Sequence, residues 1–188
     1  MNKEQIIIEK LTAADVDELR SISINTFYES FIGGNTEENM QQYMRKFFST
    51  EKLLEELKDP HASFYFARLN GKAIGYLKLN FGNAQTELQE NNGLEIERIY
   101  IIKEFHGNNI GQLLFDKALS VANEKAVDYV WLGVWEKNTG AIRFYERNGM
   151  LKFATHPFML GEDLQTDLMM RMEIRGRVAA ILNKSISQ

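Results

Sequence analysis

LEIERIYIIKEFHGNNIGQLLFDKALSVANEKAVDYVWLGVW, residues 94–135, is the stretch that decides the fold class. Its beginning, 94–102, is typical of a strand. The glycine- and asparagine-rich turn at 107–111 leads into a helix whose apolar residues recur at helical spacing. The end, 128–135, is an apolar run typical of a buried strand. The stretch therefore predicts two strands joined through a turn and an amphipathic helix.

Toward the N-terminus, the sequence predicts one strand followed by three helices. Gln5–Glu9 is typical of a strand, and Thr12 followed by Asp15 resembles a helix N-cap. Thr36 and Thr50 are expected to cap two further short helices, because a threonine hydroxyl can accept a hydrogen bond from a free first-turn amide.

A hairpin and a strand pair complete the pattern. In SFYFARLNGKAIGYLKLN (63–80), the central Asn-Gly suits a type I′ turn. Asn138 or Thr139 is expected to cap a helix, and MLKFA and DLMMRMEI then supply two strands. The order is β-α-α-α-β-β-β-α-β-α-β-β. Because the hairpin excludes an all-parallel sheet, we expect an α/β fold (mixed α+β) with a mixed sheet flanked by helices.

The composition fits one globular domain. Of the 188 residues, 44% are hydrophobic and 26% are charged. We expect a domain over 1–174 and a C-terminal tail over 175–188. No stretch approaches the ~20 apolar residues of a membrane span, and the N-terminal apolar run is too short for a secretory signal. We therefore expect a cytoplasmic protein without a membrane partner.

Cysteine content and charge exclude some classes of function. Without cysteine there is no disulfide framework, no thiolate zinc site and no cysteine to carry an acyl group. The formal net charge of −4 argues against nucleic acid as the main partner. The basic residues near the C-terminus indicate a solvated helix end or a binding arm; they are Arg171, Arg175, Arg177 and Lys184.

The turn HGNNIG (106–111) is a candidate anion site. A turn between a strand and a helix can direct backbone N–H groups at an anion, and the helix dipole adds positive potential. Gly107 and Gly111 permit close approach of a ligand, and Asn109 stands where a left-handed backbone would be needed. The turn matches neither a Walker loop nor G-x-G-x-x-G.

Taken together, these elements resemble the GNAT superfamily of N-acetyltransferases. The family's pyrophosphate loop reads Q/R-x-x-G-x-G/A; here His106 stands at the Gln/Arg position, Asn109 at the first Gly and Gly111 at the last. VWEKNTGAIRFYERNGMLKF (134–153) matches the family's second motif of a strand, an Asn, FY-x-x-x-G and a strand. The segments LEIERIYI, WLGVWEKN, HPFMLGEDLQTDLM and TFYESF resemble the PaiA-type polyamine acetyltransferases.

The resemblance implies a mostly antiparallel sheet whose strands at 94–102 and 128–135 splay around acetyl-CoA, the expected cosubstrate. Implied coenzyme-binding residues are the backbone of Ile99, Tyr100 and Ile101, the loop residues His106, Gly107, Asn108, Asn109, Ile110 and Gly111, and the side chains of Asn138, Tyr145 and Arg147 or Arg143. We predict no metal, because His61 and His106 form no ligand spacing with other residues.

Amine acetylation requires a neutral amine and a proton for the leaving thiolate. An alkyl amine has a pKa near 10.4, so neutralising it at pH 7 costs roughly 4–5 kcal/mol and favours a carboxylate base. Glu97 is the first candidate and Glu95 the second; the alternative is that both are surface carboxylates. Their spacing predicts that they share a face with Ile99 and Ile101. By resemblance, Tyr145 donates the proton to the thiolate.

The acceptor site is expected to include Tyr28, Glu97 and His156. The resemblance implies a small-molecule amine, a polyamine such as spermidine or spermine foremost, acetylated by direct attack in a ternary complex. Two alternatives stay open: a non-catalytic regulator that senses acyl-CoA, and an acetyltransferase of protein amines. Trp131, Trp135 and the methionine-rich last strand predict core packing or a homodimer contact.

Overall fold

Seven strands and five α-helices occupy the described residues in the order that the sequence predicts. The computed structural model describes residues 6–160 and 163–174, so the tail over 175–188 and its basic residues lie outside the described part. The elements are β1 (Ile6–Lys10), α1 (Val16–Phe31), α2 (Glu37–Phe47), α3 (Thr50–Lys58), β2 (Ala62–Leu69), β3 (Lys72–Phe81), β4 (Gly93–Ile101), α4 (Ile110–Glu124), β5 (Tyr129–Trp135), α5 (Thr139–Arg147), β6 (Leu151–Leu160) and β7 (Asp163–Glu173). None of these helices has the length and apolar content needed to cross a membrane.

The strands form one sheet in the order β1-β2-β3-β4-β5-β7-β6. Neighbouring strands are antiparallel except β4 and β5, which run parallel. Parallel neighbours need a crossover connection, which α4 supplies. β2 and β3 form the predicted hairpin, with φ of 51° at Asn70 and 81° at Gly71. The mixed, mostly antiparallel sheet flanked by helices is therefore confirmed.

β4 and β5 are joined over a short length and then separate. Their register pairs Gly93–Leu94–Glu95 with Tyr129–Val130–Trp131. Past this point β4 continues beside β3 as far as Ile101, while β5 continues beside β7 as far as Trp135. The predicted splay of these two strands is confirmed, and it opens the sheet near the start of α4.

A separate apolar cluster covers each face of the sheet. On the α4 side, Leu114 and Phe115 are buried against strand residues such as Leu77. On the side of α1, α2 and α3, Leu19 and Met40 are buried in a second cluster. Each large buried side chain stabilises the fold by roughly 1.5–3 kcal/mol. Because β4 contributes side chains to both clusters, packing on both faces of the sheet fixes its position.

A β-bulge at Glu97 changes which face of the sheet the following side chains of β4 occupy. The register runs from Lys78 opposite Arg98 to Leu79 opposite Ile96, which leaves Glu97 as the extra residue. Beyond the bulge, the side chains of Ile99 and Ile101 pack into the α4-side cluster. The prediction that Glu95 and Glu97 share a face with them is therefore wrong. The inserted residue interrupts the alternation of side chains between the two faces of the sheet.

Hydroxyl and amide side chains cap the helices much as the sequence predicts. Thr12, Thr36 and Asn138 accept hydrogen bonds from free amides at their helix starts. The prediction for Thr50 is wrong by one position. Ser49 is the cap of α3, and its hydroxyl accepts from the Lys52 amide at 3.2 Å. Both residues can cap, so composition alone could not decide between them.

Gly75 allows β3 and β4 to approach beside the opening. A Cβ at this position would lie 2.8 Å from the carbonyl oxygen of Tyr100, a backbone atom that cannot rotate away. We expect Gly75→Ala to lower the free energy of unfolding by about 1–3 kcal/mol in urea denaturation. Gly33→Ala is the control, because no atom lies within 4 Å of its Cβ position. Wild-type stability of Gly75→Ala would contradict the close approach.

Candidate active site

A cavity of about 1050 Å³ lies where β4 and β5 separate, bounded also by α1, α2, α4 and α5. It brings together most of the residues that the sequence singled out. The predicted site residues that line it are Glu95, Glu97, Ile99, Tyr100, Ile101, His106, Gly107, Asn109, Ile110, Gly111, Asn138, Tyr145, Arg147 and His156. Three predicted residues are not among the lining residues: Tyr28, Asn108 and Arg143, the alternative to Arg147.

The loop before α4 has the backbone that an anion site requires. Asn109 has φ 61° and ψ 12°, and Gly107 has φ 78°. The left-handed conformation considered for Asn109 is therefore present, in a residue type that tolerates it. Because α4 begins at Ile110, the amides of its first turn have no partner within the helix. Ile110 and Gly111 line the cavity, so these amides and the positive end of the helix dipole suit a phosphate.

His106 and Asn108 support the loop from within. The Nε2 atom of His106 lies 2.8 Å from the carbonyl oxygen of Ile101. Since a carbonyl can only accept, Nε2 carries the proton, and the Nδ1 atom of a neutral ring is left as an acceptor. The Asn108 side chain donates to the carbonyl oxygens of Phe105 and His106 at 3.2 and 3.3 Å. His106 thus fixes the loop to β4 through its Nε2 atom.

Glu97 is bound by two cations. Lys78 Nζ and Arg98 Nη2 lie 2.6 and 2.8 Å from its carboxylate oxygens, and Asn80 Nδ2 donates to it at 2.5 Å. Glu56 of α3 also contacts both cations, at 2.9 and 3.4 Å. Burial alone would raise the pKa of Glu97, but Arg98 and Lys78 outweigh it and lower the pKa to about 2. Glu97 is therefore a fixed anion at neutral pH.

Glu95 faces a different environment. Its carboxylate accepts hydrogen bonds from the Thr86 amide at 2.9 Å, from the Thr86 hydroxyl and from Asn80 Nδ2 at 2.9 Å. The residue is 3% exposed. Burial, reinforced by the neighbouring charge of Glu97, raises the pKa of Glu95 to about 7, although the Thr86 and Asn80 hydrogen bonds oppose the rise. Glu95 can therefore gain and lose a proton near neutral pH.

Tyr145 lies on α5, where it belongs to the buried apolar cluster and also lines the cavity. The ring packs against Phe115 and Phe144. The hydroxyl forms no hydrogen bond with any residue of the described ranges, and burial raises the pKa of the phenol above its usual value. The hydroxyl is therefore protonated at pH 7 and has its proton available for a group inside the cavity.

The side of the cavity toward α1 and α2 carries aromatic rings and carboxylates. Phe31 and Trp135 have ring centroids 5.8 Å apart. His156 Nε2 lies 3.1 Å from a carboxylate oxygen of Glu87. Asp167 of β7 also lines this side, and burial raises its pKa to about 6, against the opposing effect of His156. A protonated amine would find negative charge and ring faces here.

The side chain of Tyr28 lies away from the cavity. Its hydroxyl donates to Glu37 Oε2 at 2.8 Å on the surface, and the residue is 36% exposed. The neighbouring Phe27 lines the cavity instead and stacks on Tyr43 at 4.4 Å between ring centroids. The helix periodicity of α1 separates these two adjacent residues, so Phe27 lines the cavity and Tyr28 does not.

Sequence reasoning missed several polar residues of the site, among them Asn80, Thr86, Glu87 and Asp167. They come from β3, from the loop after it and from β7, and they meet only in the folded sheet. A usable signal was present in KAIGYLKLN, where Lys78 and Asn80 interrupt an apolar strand at alternate positions. Both are buried, and buried polar side chains on a strand need partners.

A search of protein families matches residues 23–150 to the acetyltransferase (GNAT) family. An uncharacterised N-acetyltransferase from the region 3′ of pepI in Lactobacillus delbrueckii subsp. lactis is 39% identical over 87% of this chain and 95% of its own length. A spermidine N(1)-acetyltransferase from Thermoplasma acidophilum is 26% identical over 77% of this chain and 87% of its own.

The fold resembles that of solved acetyltransferases. The crystal structure of the PaiA N-acetyltransferase of Thermoplasma acidophilum in complex with coenzyme A superimposes with a TM-score of 0.74. The match covers 89% of this chain and 98% of that one, at 23% identity. At this identity the likeness concerns the fold.

The effect of the Glu97 charge on the pKa of Glu95 can be measured. Replacing Glu97 with Gln removes the anion beside Glu95 and leaves Lys78 and Arg98 to attract the remaining carboxylate. We expect the pKa of Glu95 to fall from about 7 by about 1 or more. A ¹³C NMR titration, with the Glu95 resonance assigned from Glu95→Gln, measures the shift.

The matched control for this titration is Glu124→Gln. Glu124 lies at the end of α4, where its side chain accepts from Ser120 at 2.9 Å. This variant should leave the Glu95 titration unchanged. An unchanged Glu95 pKa in Glu97→Gln as well would show that the two carboxylates are not electrostatically coupled.

Proposed function

The chain belongs to the acetyltransferase (GNAT) family, and on that basis we propose that it acetylates a primary amine of a polyamine such as spermidine or spermine. It is an N-acetyltransferase that uses acetyl-CoA. The polyamine acceptor is the finer part of the proposal. It is supported by the spermidine acetyltransferase among the relatives and by the lining of the cavity.

One observation carries the choice of acceptor: carboxylates and aromatic rings line the cavity together on the α1–α2 side. The cations that line the described cavity are Arg98 and Arg147. Arg98 is already paired with Glu97, and Arg147 belongs to α5 on the other side of the opening. A cationic acceptor is therefore favoured by both the charge and the ring faces around it.

We assign the base to Glu95. A protonated alkyl amine has a pKa near 10.4, and a carboxylate with a pKa of about 7 takes its proton far more readily than one with a pKa of about 2. The sequence favoured Glu97, and the hydrogen bonds and ion pairs of the folded site favour Glu95. Glu97 then acts as a positioning residue, since it shares the Asn80 amide with Glu95.

The transfer follows from these positions. The amine gives one proton to Glu95, and its nitrogen attacks the thioester carbonyl carbon. The tetrahedral oxyanion is stabilised by a backbone N–H of β4 beside the opening. As the carbon–sulfur bond breaks, the coenzyme thiolate takes the hydroxyl proton of Tyr145, whose neutral phenol suits this role. The nitrogen loses its second proton as the amide forms, which restores the Tyr145 phenol, and Glu95 releases its proton to solvent. No enzyme acyl intermediate is needed.

The coenzyme is proposed to lie along the open edge of β4. Ile99 and Tyr100 offer backbone groups to the pantetheine, which pairs with them as an added strand would. The amides from Gly107 to Gly111 bind the pyrophosphate, and Arg147 faces the adenosine phosphate. The Ile101 carbonyl is already engaged by His106, so His106 is assigned to loop support rather than to phosphate binding.

The first test is thiol release from acetyl-CoA with spermidine, spermine and butylamine as acceptors. We expect turnover with the polyamines, and we expect Tyr145→Phe to lower kcat by about 10²-fold or more because the thiolate loses its acid. Acetyl-CoA binding should stay unchanged. Tyr28→Phe is the matched control, since Tyr28 lies outside the cavity lining. Full activity of Tyr145→Phe would exclude the acid role.

The second test addresses the loop. Asn109→Pro should abolish acetyl-CoA binding, because proline fixes φ near −65° and Asn109 has φ 61°. Asn109→Gly permits the observed backbone and should bind within about 3-fold of wild type. Calorimetric titration with acetyl-CoA measures both. Unchanged binding by a folded Asn109→Pro would remove the loop from the coenzyme site.

A further inference from the structure

Four carboxylates line the described cavity, and three of them have partners. Glu97 is bound by Lys78 and Arg98, and Glu87 by His156. Glu95 accepts three hydrogen bonds from Thr86 and Asn80, as described above. The fourth is Asp167, to which no hydrogen bond or ion pair runs from any residue within 6–160 or 163–174.

Asp167 lies on the floor of the cavity among side chains that leave it room. Its strand neighbours are Trp135 on β5 and His156 on β6. A Cβ added to Gly133 would lie 3.3 Å from Asp167 Oδ2. The missing side chain at Gly133 therefore keeps the space beside the carboxylate open, and the indole of Trp135 lies on the adjacent strand.

A partly buried carboxylate without a partner is costly, because burial disfavours its charged form. The raised pKa of Asp167, about 6, expresses that cost. A cation bound beside it would restore the lost interaction, and a neighbouring aromatic ring would add to the attraction. His156 offsets this cost only in part, and its Nε2 atom lies against the Glu87 carboxylate rather than against Asp167.

We propose that Asp167 binds a second ammonium group of the acceptor and so selects amines that carry two or more positive charges over monoamines. This inference rests on the proposed amine acetylation. Glu95 pairs with Trp131, and Asp167 pairs with Trp135 two strands away from β4. By strand spacing, the Cα atoms of Glu95 and Asp167 are on the order of 15 Å apart. The second charge is therefore separated from the reacting amine by several carbon atoms, as in spermidine.

The experiment compares spermidine with butylamine in wild type and in Asp167→Asn. We expect kcat/KM for spermidine to fall by about 10-fold or more in the variant, because the amide loses the charge of the carboxylate. The value for butylamine should change less than about 2-fold. Gly133→Ala should also lower kcat/KM for spermidine more than for butylamine, since its methyl group fills the space beside Asp167. Equal losses for both amines, or no loss for either, would overturn the proposal.

Two further readouts separate a binding role from a structural one. Asp167→Asn removes an unpartnered charge, so its thermal unfolding should occur at or above the wild-type temperature. Glu173→Gln is the control for a carboxylate on the same strand, because Glu173 is exposed and paired with Arg171. It should leave the spermidine to butylamine ratio unchanged. A strongly destabilised Asp167→Asn would contradict the inference.

Binding without turnover separates this inference from the proposed function. Calorimetric titration of spermidine into the protein with coenzyme A present requires no acetyl transfer. Spermidine binding that weakens in Asp167→Asn, with no turnover of any amine by the wild type, would support the second cation site and reject the polyamine reaction. Absence of spermidine binding by the wild type would reject the site itself.

Discussion

The ion pairs around Glu97 are the constraint on which the rest of the site depends. Lys78 and Arg98 bind its carboxylate, and Glu56 of α3 binds both cations, so the extra residue of β4 is anchored from β3, β4 and α3 together. Because of the bulge at Glu97, the side chain of Glu95 and those of the isoleucines that follow lie on opposite faces of the sheet, with the isoleucines toward α4. The position of this one residue therefore determines which β4 side chains lie on each face of the sheet at the opening.

The same cluster gives two neighbouring carboxylates different chemistry. Glu97 has a pKa of about 2 because cations surround it, and Glu95 has a pKa of about 7 because it is buried beside that fixed anion. Asn80 connects them through one amide group. Proton affinity at Glu95 is thus a property of the network on β3 and β4 and of the Thr86 loop, rather than of a single residue.

Local patterns predicted the fold well, because hydrophobic period, caps and the Asn-Gly turn act over a few residues. The order of elements, the hairpin and the left-handed Asn109 follow from such signals. The bulge at Glu97 could not be predicted, since it exists only through the register with β3. Likewise, Asp167 is distinctive through its lack of a described partner, which is a tertiary property that no spacing in the sequence encodes.

The place of β7 in the sheet has a consequence for synthesis on the ribosome. β7 lies between β5 and β6 although it follows both in the chain. β5, with the sequence YVWLGVW and no charged residue, pairs with β4 over three positions and otherwise depends on β7. At about 5–20 residues per second, the roughly 40 residues from β5 to the end of β7 take on the order of 2–8 s. During that interval an apolar strand edge is open to pairing with other nascent chains. The pairing of the central strand β5 is therefore completed only after β7, the last strand of the described sheet, has been synthesised.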